Sequence, residues 1–265
     1  MVQKYFGMEK RKDGFLIEKN AQDKDFIFGT RVVIEAIHSG KDIDKVLIQK
    51  EINNDLTKEL IKLCKTQSIP VVRVPEGKLN RITRKNHQGS VALVSALTYA
   101  SLDHVIETCY SNGQAPLILI LDRITDVRNF GAIARTAECA GVHAIIIPEK
   151  GSAQINSDAI KTSAGALNFL PVVRVKNLFY TCRDLQKSGL VLLAVTEKTD
   201  QLIYEADMSV PTALVMGSEE DGISADLLNI ADSKVKIPMQ GEIDSLNVSV
   251  SAGVVIYEAM RQRQS

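Results

Sequence analysis

Leu117-Ile118-Leu119-Ile120-Leu121 is an unbroken aliphatic run that ends at Asp122, passes Thr125, Asp126 and Asn129, and continues as Phe130-Gly131-Ala132-Ile133-Ala134-Arg135-Thr136-Ala137-Glu138-Cys139-Ala140-Gly141. A short, wholly apolar run bounded by polar residues reads as a strand buried on both faces. The residues after it have helical spacing, with Asn129 placed to cap the helix and Gly141 to end it. Two later stretches repeat the arrangement. Ala213-Leu214-Val215-Met216 runs into Gly217-Ser218-Glu219-Glu220-Asp221-Gly222, a loop with glycine at both ends. Val235-Lys236-Ile237-Pro238-Met239 leads through Gly241 to Ser245-Leu246-Asn247-Val248-Ser249, and then to a closing helix over Val254–Met260. Each stretch places small and polar residues in a tight turn after a strand, where backbone can wrap a small cofactor while a few side chains face a second ligand.

Working outward, strands are expected near 117–121, 143–148, 171–175, 190–195, 212–216 and 234–238, alternating with helices, so this half of the chain should form a mostly parallel α/β sheet covered on both faces. The other half follows a different rhythm. Residues 1–25 are polar and charged without sustained periodicity, which reads as a flexible tail. From Phe28 the expectation is a helix over Arg31–His38, a strand over Lys45–Gln49, a helix over Asp55–Gln67, a strand over Pro70–Val74, a short helix over Lys78–Arg84 and a strand over Ser90–Leu97. These form a small α/β sandwich. Ser101–Tyr110 reads as a helix, and Ser111–Pro116 as a turn. The division is therefore a tail (1–25), a small domain (26–98), a linker (99–116) and a larger domain (117–265).

Composition bounds the function. A chain of 265 residues with 45% hydrophobic content has enough apolar mass for two cores. No apolar run is long enough to span a bilayer. The charged start, Met1–Asp13, has no apolar signal region, so a cytoplasmic location is expected. Cys64, Cys109, Cys139 and Cys182 are widely spaced, which suits reduced thiols, and His38, His87, His104 and His143 are equally scattered, so no metal is expected. The net charge of zero conceals two opposite halves. Residues 1–100 carry 18 Lys and Arg against 12 Asp and Glu, whereas residues 101–265 carry 14 against 20. A basic half suits RNA docking, because phosphate contacts supply the sequence-independent part of the affinity.

The three turns together resemble the SpoU (TrmH-like) branch of the SPOUT superfamily, RNA 2'-O-ribose methyltransferases that use S-adenosylmethionine. The matching patterns are Asn129-x-Gly131-x-x-x-Arg135, Gly217-x-Glu219-x-x-Gly222, and Ile237-Pro238-Met239 with Ser245-Leu246-Asn247-Val248-Ser249. More loosely, Phe28-Gly29-Thr30-Arg31 with Val33, Glu35 and Ala36, and Lys85-Asn86-His87-Gln88-Gly89-Ser90-Val91-Ala92, resemble the N-terminal substrate-binding domain of the ribosomal-RNA members. That domain is similar to ribosomal proteins that bind bent, kink-turn RNA.

The resemblance implies a trefoil-knotted catalytic domain, a homodimer in which both catalytic domains contribute to each site, and catalytic roles for Asn129, Arg135, Glu219, Ser245 and Asn247. It implies S-adenosylmethionine held largely by backbone at Gly217, Ile237 and Leu246, with Thr196 and Met239 nearby. Where relatives often have glycine directly after the motif glutamate, this chain has Glu220. Arg135 cannot act readily as a base, since a guanidinium stays protonated, and is expected to grip the target phosphate and stabilise a developing alkoxide.

Arg73, Lys78, Arg81, Arg84, Lys85 and His87 form the expected RNA-docking edge, with Arg128 adding a phosphate contact near the catalytic helix. The second domain points to large-subunit ribosomal RNA, with a guanosine as the expected target. The alternatives are a transfer-RNA ribose methyltransferase and an inactive RNA-binding or ribosome-assembly protein. An ordinary dinucleotide-binding or P-loop protein would need G-x-G-x-x-G or G-x-x-x-x-G-K-[ST], and neither is present.

Overall fold

The computed structural model describes residues 26–242 and 245–264. The tail expected over residues 1–25 lies outside the described residues. The first domain holds a four-stranded sheet built from β1 (Phe26–Phe28), β2 (Ile43–Gln49), β3 (Val71–Val74) and β4 (Ser90–Val94), in the order β1-β4-β2-β3. β4 runs antiparallel to both neighbours, while β2 and β3 are parallel. Helices α1 (Thr30–His38), α2 (Asp55–Thr66) and α3 (Glu76–Ile82) connect them. Val33, Ile37, Val46, Ile48, Leu60 and Cys64 form the core between the sheet and the α1–α2 pair. β1 was not anticipated: three residues at the edge of the charged start carry too little pattern, and their strand character comes from pairing with β4.

The larger domain is a six-stranded, wholly parallel sheet in the order β10-β8-β9-β5-β6-β7. The strands are β5 (Leu117–Asp122), β6 (Ala144–Pro148), β7 (Val172–Val175), β8 (Val191–Val195), β9 (Thr212–Gly217) and β10 (Ser233–Val235). The aliphatic run of β5 is unbroken because it serves two cores. Leu117, Leu119 and Leu121 belong to one, with α5 (Val127–Cys139), α6 (Ser157–Thr162) and α9 (Val248–Arg263). Ile118 and Ile120 belong to the other, with α4 (Leu102–Ser111), α7 (Leu178–Lys187) and α8 (Ala225–Ile230). Gly131 is where α5 and α6 touch, and a Cβ there would lie 2.6 Å from Thr162 Cβ.

The expected linker over 99–116 is instead part of the architecture. Val105, Ile106 and Cys109 of α4 are buried against the larger sheet. The segment just before it is bonded to both domains: Ser95 N–H donates to the Asp42 carbonyl, Ala96 N–H to Ile155, and Ala100 N–H to Val172. Apolar burial on one face of α4 is what turns a connection into a structural layer.

Candidate active site

All strands of the larger sheet point the same way, so the turns after β10, β8, β9 and β5 lie side by side at the carboxyl edge. Chain order reverses between β5 and β9, since β6 and β7 extend one side and β8 and β10 the other. Such reversals open a crevice at the strand ends where α/β proteins bind ligands.

The loop after β9 is compact. Gly222 N–H donates to the Ser218 carbonyl at 3.0 Å, and a Cβ on Gly217 would collide with the backbone of Gly222 and Ile223. The fold therefore requires glycine at position 217 to close this turn. Arg123, directly after β5, holds the turn from outside, donating to Asp221 Oδ2 at 3.1 Å and to the Gly222 carbonyl at 3.0 Å. Its neighbour Asp122 accepts from Ser224 N–H at 2.7 Å.

Glu219 projects from this turn and gathers the other two motifs. Its Oε1 accepts from Asn247 Nδ2 at 2.7 Å, Val248 N–H at 3.1 Å and Asn129 Nδ2 at 3.3 Å. Asn247 Nδ2 also donates to Asn129 Oδ1 at 3.1 Å. Three polar residues from three strand-end turns thus form one hydrogen-bonded unit, a sharper placement for Glu219 than the sequence supplied.

Asn129 is not the helix cap expected of it. Asp126 is the cap, its carboxylate accepting from the N–H groups of Arg128 and Asn129. These bonds hold its carboxyl below the usual carboxylate range, the Asn129 N–H contributing most. The signal was available, because Asp is as good a cap as Asn and Asp126 comes first in the chain. Relieved of capping, the Asn129 amide is free for Glu219. Asn247 does cap its helix, accepting from Ser249 N–H at 3.0 Å.

Arg135 stands apart from this unit. It is exposed on α5, six residues beyond Asn129, which is about 9 Å along the helix axis and roughly 120° around it. Among the described residues its guanidinium has no hydrogen-bond or ion-pair partner, and Ser245 likewise makes no bond to Glu219, Asn129 or Asn247.

The candidate cofactor positions cluster by topology. Thr196 follows β8 and its N–H donates to the Val235 carbonyl of β10, so its backbone adjoins the start of the Ile237 turn. Gly217 ends the neighbouring strand. Met239 and Leu246 are large apolar side chains left 40% and 37% exposed in the segment before α9. Backbone groups at three adjacent strand ends, with exposed apolar side chains in the same segment, fit a ligand that is polar at one end and a flat heterocycle at the other.

The docking-edge candidates divide. Lys78, Arg81, Arg84 and Lys85 are exposed. Arg73 is exposed as well, and its Nη1 donates to the carbonyls of Gln49, Lys50 and Ile52 at 3.2, 3.1 and 2.7 Å, so one nitrogen of its guanidinium is engaged by the chain. His87 is buried, with Nδ1 accepting from Gly89 N–H at 3.0 Å and Nε2 3.0 Å from Asn80 Oδ1. His87 is a correction: its buried ring shapes the loop it sits on and is not free for phosphate. Arg128 is exposed beside Asp126 Oδ2 at 3.4 Å. Phe28–Arg31 and Lys85–Ala92, far apart in sequence, meet where Thr30 Oγ1 contacts the Gln88 carbonyl at 3.2 Å and Ser90 Oγ at 3.1 Å.

Comparison with known proteins gives this geometry its family. The SpoU rRNA Methylase family matches residues 116–257, and the RNA 2'-O ribose methyltransferase substrate-binding family matches residues 26–100. The chain belongs to the SpoU methylase family. A putative TrmH-family tRNA/rRNA methyltransferase of Bacillus subtilis, YacO, is 34% identical over 92% of this chain and 98% of its own length. A Staphylococcus aureus protein of the same description is 39% identical over 89% and 96%. Among solved structures, the SpoU methyltransferase AviRb of Streptomyces viridochromogenes, in complex with AdoMet, superposes with a TM-score of 0.57 at 26% identity, covering 90% of both chains. The A. aeolicus TrmH/SpoU tRNA modifying enzyme superposes with a TM-score of 0.53 at 32% identity, but covers only 60% of this chain.

Proposed function

We infer that this S-adenosylmethionine-dependent RNA 2'-O-ribose methyltransferase acts on ribosomal RNA in the cytoplasm, at a guanosine of the large subunit. The observation that carries the enzymatic reading is the Glu219–Asn129–Asn247 unit at the carboxyl edge of the parallel sheet. Support for a ribosomal target comes from coverage: the AdoMet-bound rRNA methyltransferase of Sinorhizobium meliloti covers 91% of this chain, whereas the tRNA modifying enzyme covers 60% of it.

The cofactor supplies an electrophilic methyl group on a sulfonium, and the chain's own residues hold the acceptor sugar and manage its proton. Glu219 fixes the side-chain amides of Asn129 and Asn247, so that the unit is preorganised before RNA arrives. Arg135, which has no partner among the described residues, grips the phosphate next to the target ribose and stabilises charge developing on its 2'-oxygen. Because Arg135 is exposed on α5 and makes no bond to the unit on its own chain, it serves the site of a second copy. The outer surface of α9 fits that homodimer: Val250 and Tyr257, two turns apart, are 51% and 49% exposed. Gly253, between them, lies against Thr136, the neighbour of Arg135.

The test is transfer of labelled methyl to total RNA from a strain lacking the gene, followed by mapping of the resistance to alkaline cleavage that a 2'-O-methyl group confers. Label at one large-subunit position is the expected result. Label confined to tRNA would replace the ribosomal reading with the transfer-RNA one, and no transfer to any RNA would overturn the enzymatic reading.

A further inference from the structure

A cavity of about 510 Å³ opens beside Arg123, which holds the Glu219 turn, at the carboxyl ends of β5, β6 and β7. Its lining includes Lys150 after β6, Asn177, Phe179 and Tyr180 at the start of α7, and Ser224 before α8. None of the motifs discussed above accounts for it. Its two acidic members differ in standing. Asp122 is buried and occupied by Arg123 Nε and Ser224 N–H, so its charge is internally matched, whereas Asp226 is exposed at the rim.

Two lining residues are unspent. Lys150 is exposed and has no carboxylate partner among the described residues. Tyr180 is 66% exposed while its ring is braced by Phe179, centroids 5.4 Å apart at 85°. The T-shaped contact restrains the ring, and its exposure leaves aromatic surface open to solvent. An exposed aromatic ring and an ammonium lining one cavity are what proteins offer to an unpaired nucleotide: the base stacks on the ring and the phosphate pairs with the cation. Lys150 also lines the cleft between the domains, together with Lys45 and Arg174.

We propose that this cavity binds a single-stranded nucleotide of the substrate RNA flanking the one that is methylated, stacking its base on Tyr180 and pairing its phosphate with Lys150. It rests on the RNA methyltransferase reading above and adds a second point of RNA contact on the larger domain. A nucleotide held there, with Arg123 as the shared wall, would fix the RNA strand in register with the Glu219 unit.

The test measures binding of a large-subunit rRNA transcript and of tRNA by gel shift, together with methylation kinetics, for Y180A, Y180F, K150Q and Y180A/K150Q. Y204A, at another exposed tyrosine, is the control. Y180A is expected to weaken binding of the cognate RNA and raise its KM about tenfold, as loss of one stacked base does, while Y180F stays near wild type. K150Q is expected to lower the salt dependence of binding by about one counterion. The Kd for S-adenosylmethionine and kcat at saturating RNA should not move. RNA affinities of Y180A and the double variant within twofold of wild type, or an equal loss in Y204A, would overturn the proposal. Wild-type protein that binds RNA but transfers no methyl would defeat the enzymatic reading while the binding arm still decides the pocket. Wild-type protein that binds no RNA would defeat both.

Discussion

Arg174 Nη1 lies 3.0 Å from Asp44 Oδ1, joining the edge strand of the larger sheet to the smaller sheet through a pair whose side chains are only 15% and 9% exposed. The same guanidinium donates to the Ile43 carbonyl and sits 4.3 Å above the ring of Tyr99, whose hydroxyl donates to Asp44. One arginine therefore fixes the small domain against the edge strand of the larger sheet. Burial pushes the Asp44 carboxyl up; the Tyr99 hydrogen bond and Arg174 pull it down without cancelling the effect, and Asp42 adds to the rise. An acid with a raised folded pKa contributes stability that is present at low pH and lost as pH climbs through that raised value. R174M removes the compensating cation, so its melting temperature should fall more at pH 7 than at pH 4, by an amount equivalent to about 3 kcal/mol at neutral pH. R174M/D44N should recover part of the loss. Equal losses at both pH values would refute this account.

Removing the carboxylate at 219 should separate the three motifs. E219A leaves Asn129, Asn247 and Val248 N–H without their common acceptor, and misplacement of reacting groups by an ångström is enough to slow turnover about 100-fold. E219Q keeps one oxygen to receive the same donors and should lose far less. Steady-state kcat at saturating RNA and cofactor is the measurement, and E219A within threefold of wild type would contradict it.

At position 135 the change is chemical and not structural. The side chain is exposed, so R135K should melt at the wild-type temperature. Lysine keeps the charge but lacks the planar fork, and kcat/KM should drop at least about tenfold. Near-normal turnover would rule out a bidentate phosphate grip.

Thiol reactivity checks the burial of both domains at once. Cys139 is exposed, whereas Cys64, Cys109 and Cys182 are buried. Burial pushes the Cys64 thiol up to about 11 and Cys182 up to about 12. Neither forms appreciable thiolate at neutral pH. Native protein should release one equivalent of colour quickly with an aromatic disulfide reagent, and four after denaturation. Two or more fast native thiols would refute the packing.

The cap of α5 gives a pH signature of opposite sign to that of Asp44. The Asp126 carboxyl is lowered, so its contribution is present above the ordinary carboxylate range and is lost as pH falls through the folded value. D126A should melt below wild type at pH 7, with the gap closing as the pH is taken below about 4. D126N, still a capping residue, should lie between the two. A gap independent of pH would show that the charge has no part in the cap.

The strands of the larger sheet were legible because a parallel sheet buried on both faces demands continuous aliphatic runs, and Leu117–Leu121 meets that demand locally. The closing glycine of α5 was legible for the same kind of reason: Gly141 has φ +76, a backbone state that local chemistry selects. Asn129 was misread because Asp126 and Asn129 both satisfy the capping rule, and only the actual start of the helix decides between them. His87 was misread because a polar side chain beside a loop can serve solvent or backbone equally well until the neighbouring amide groups are in place.

By itself, then, the sequence determined which segments are strands and helices and which residue types stand at the turns, since those follow from periodicity and local backbone preference. Tertiary structure alone decided that Asn129, Glu219 and Asn247, up to 118 residues apart, share hydrogen bonds while Arg135 does not. The reason is the order in which the strands pair: β9 lies beside β5 and β8, and β10 beside β8, which brings the turns after separate strands to one edge, and no local property of the chain specifies that order.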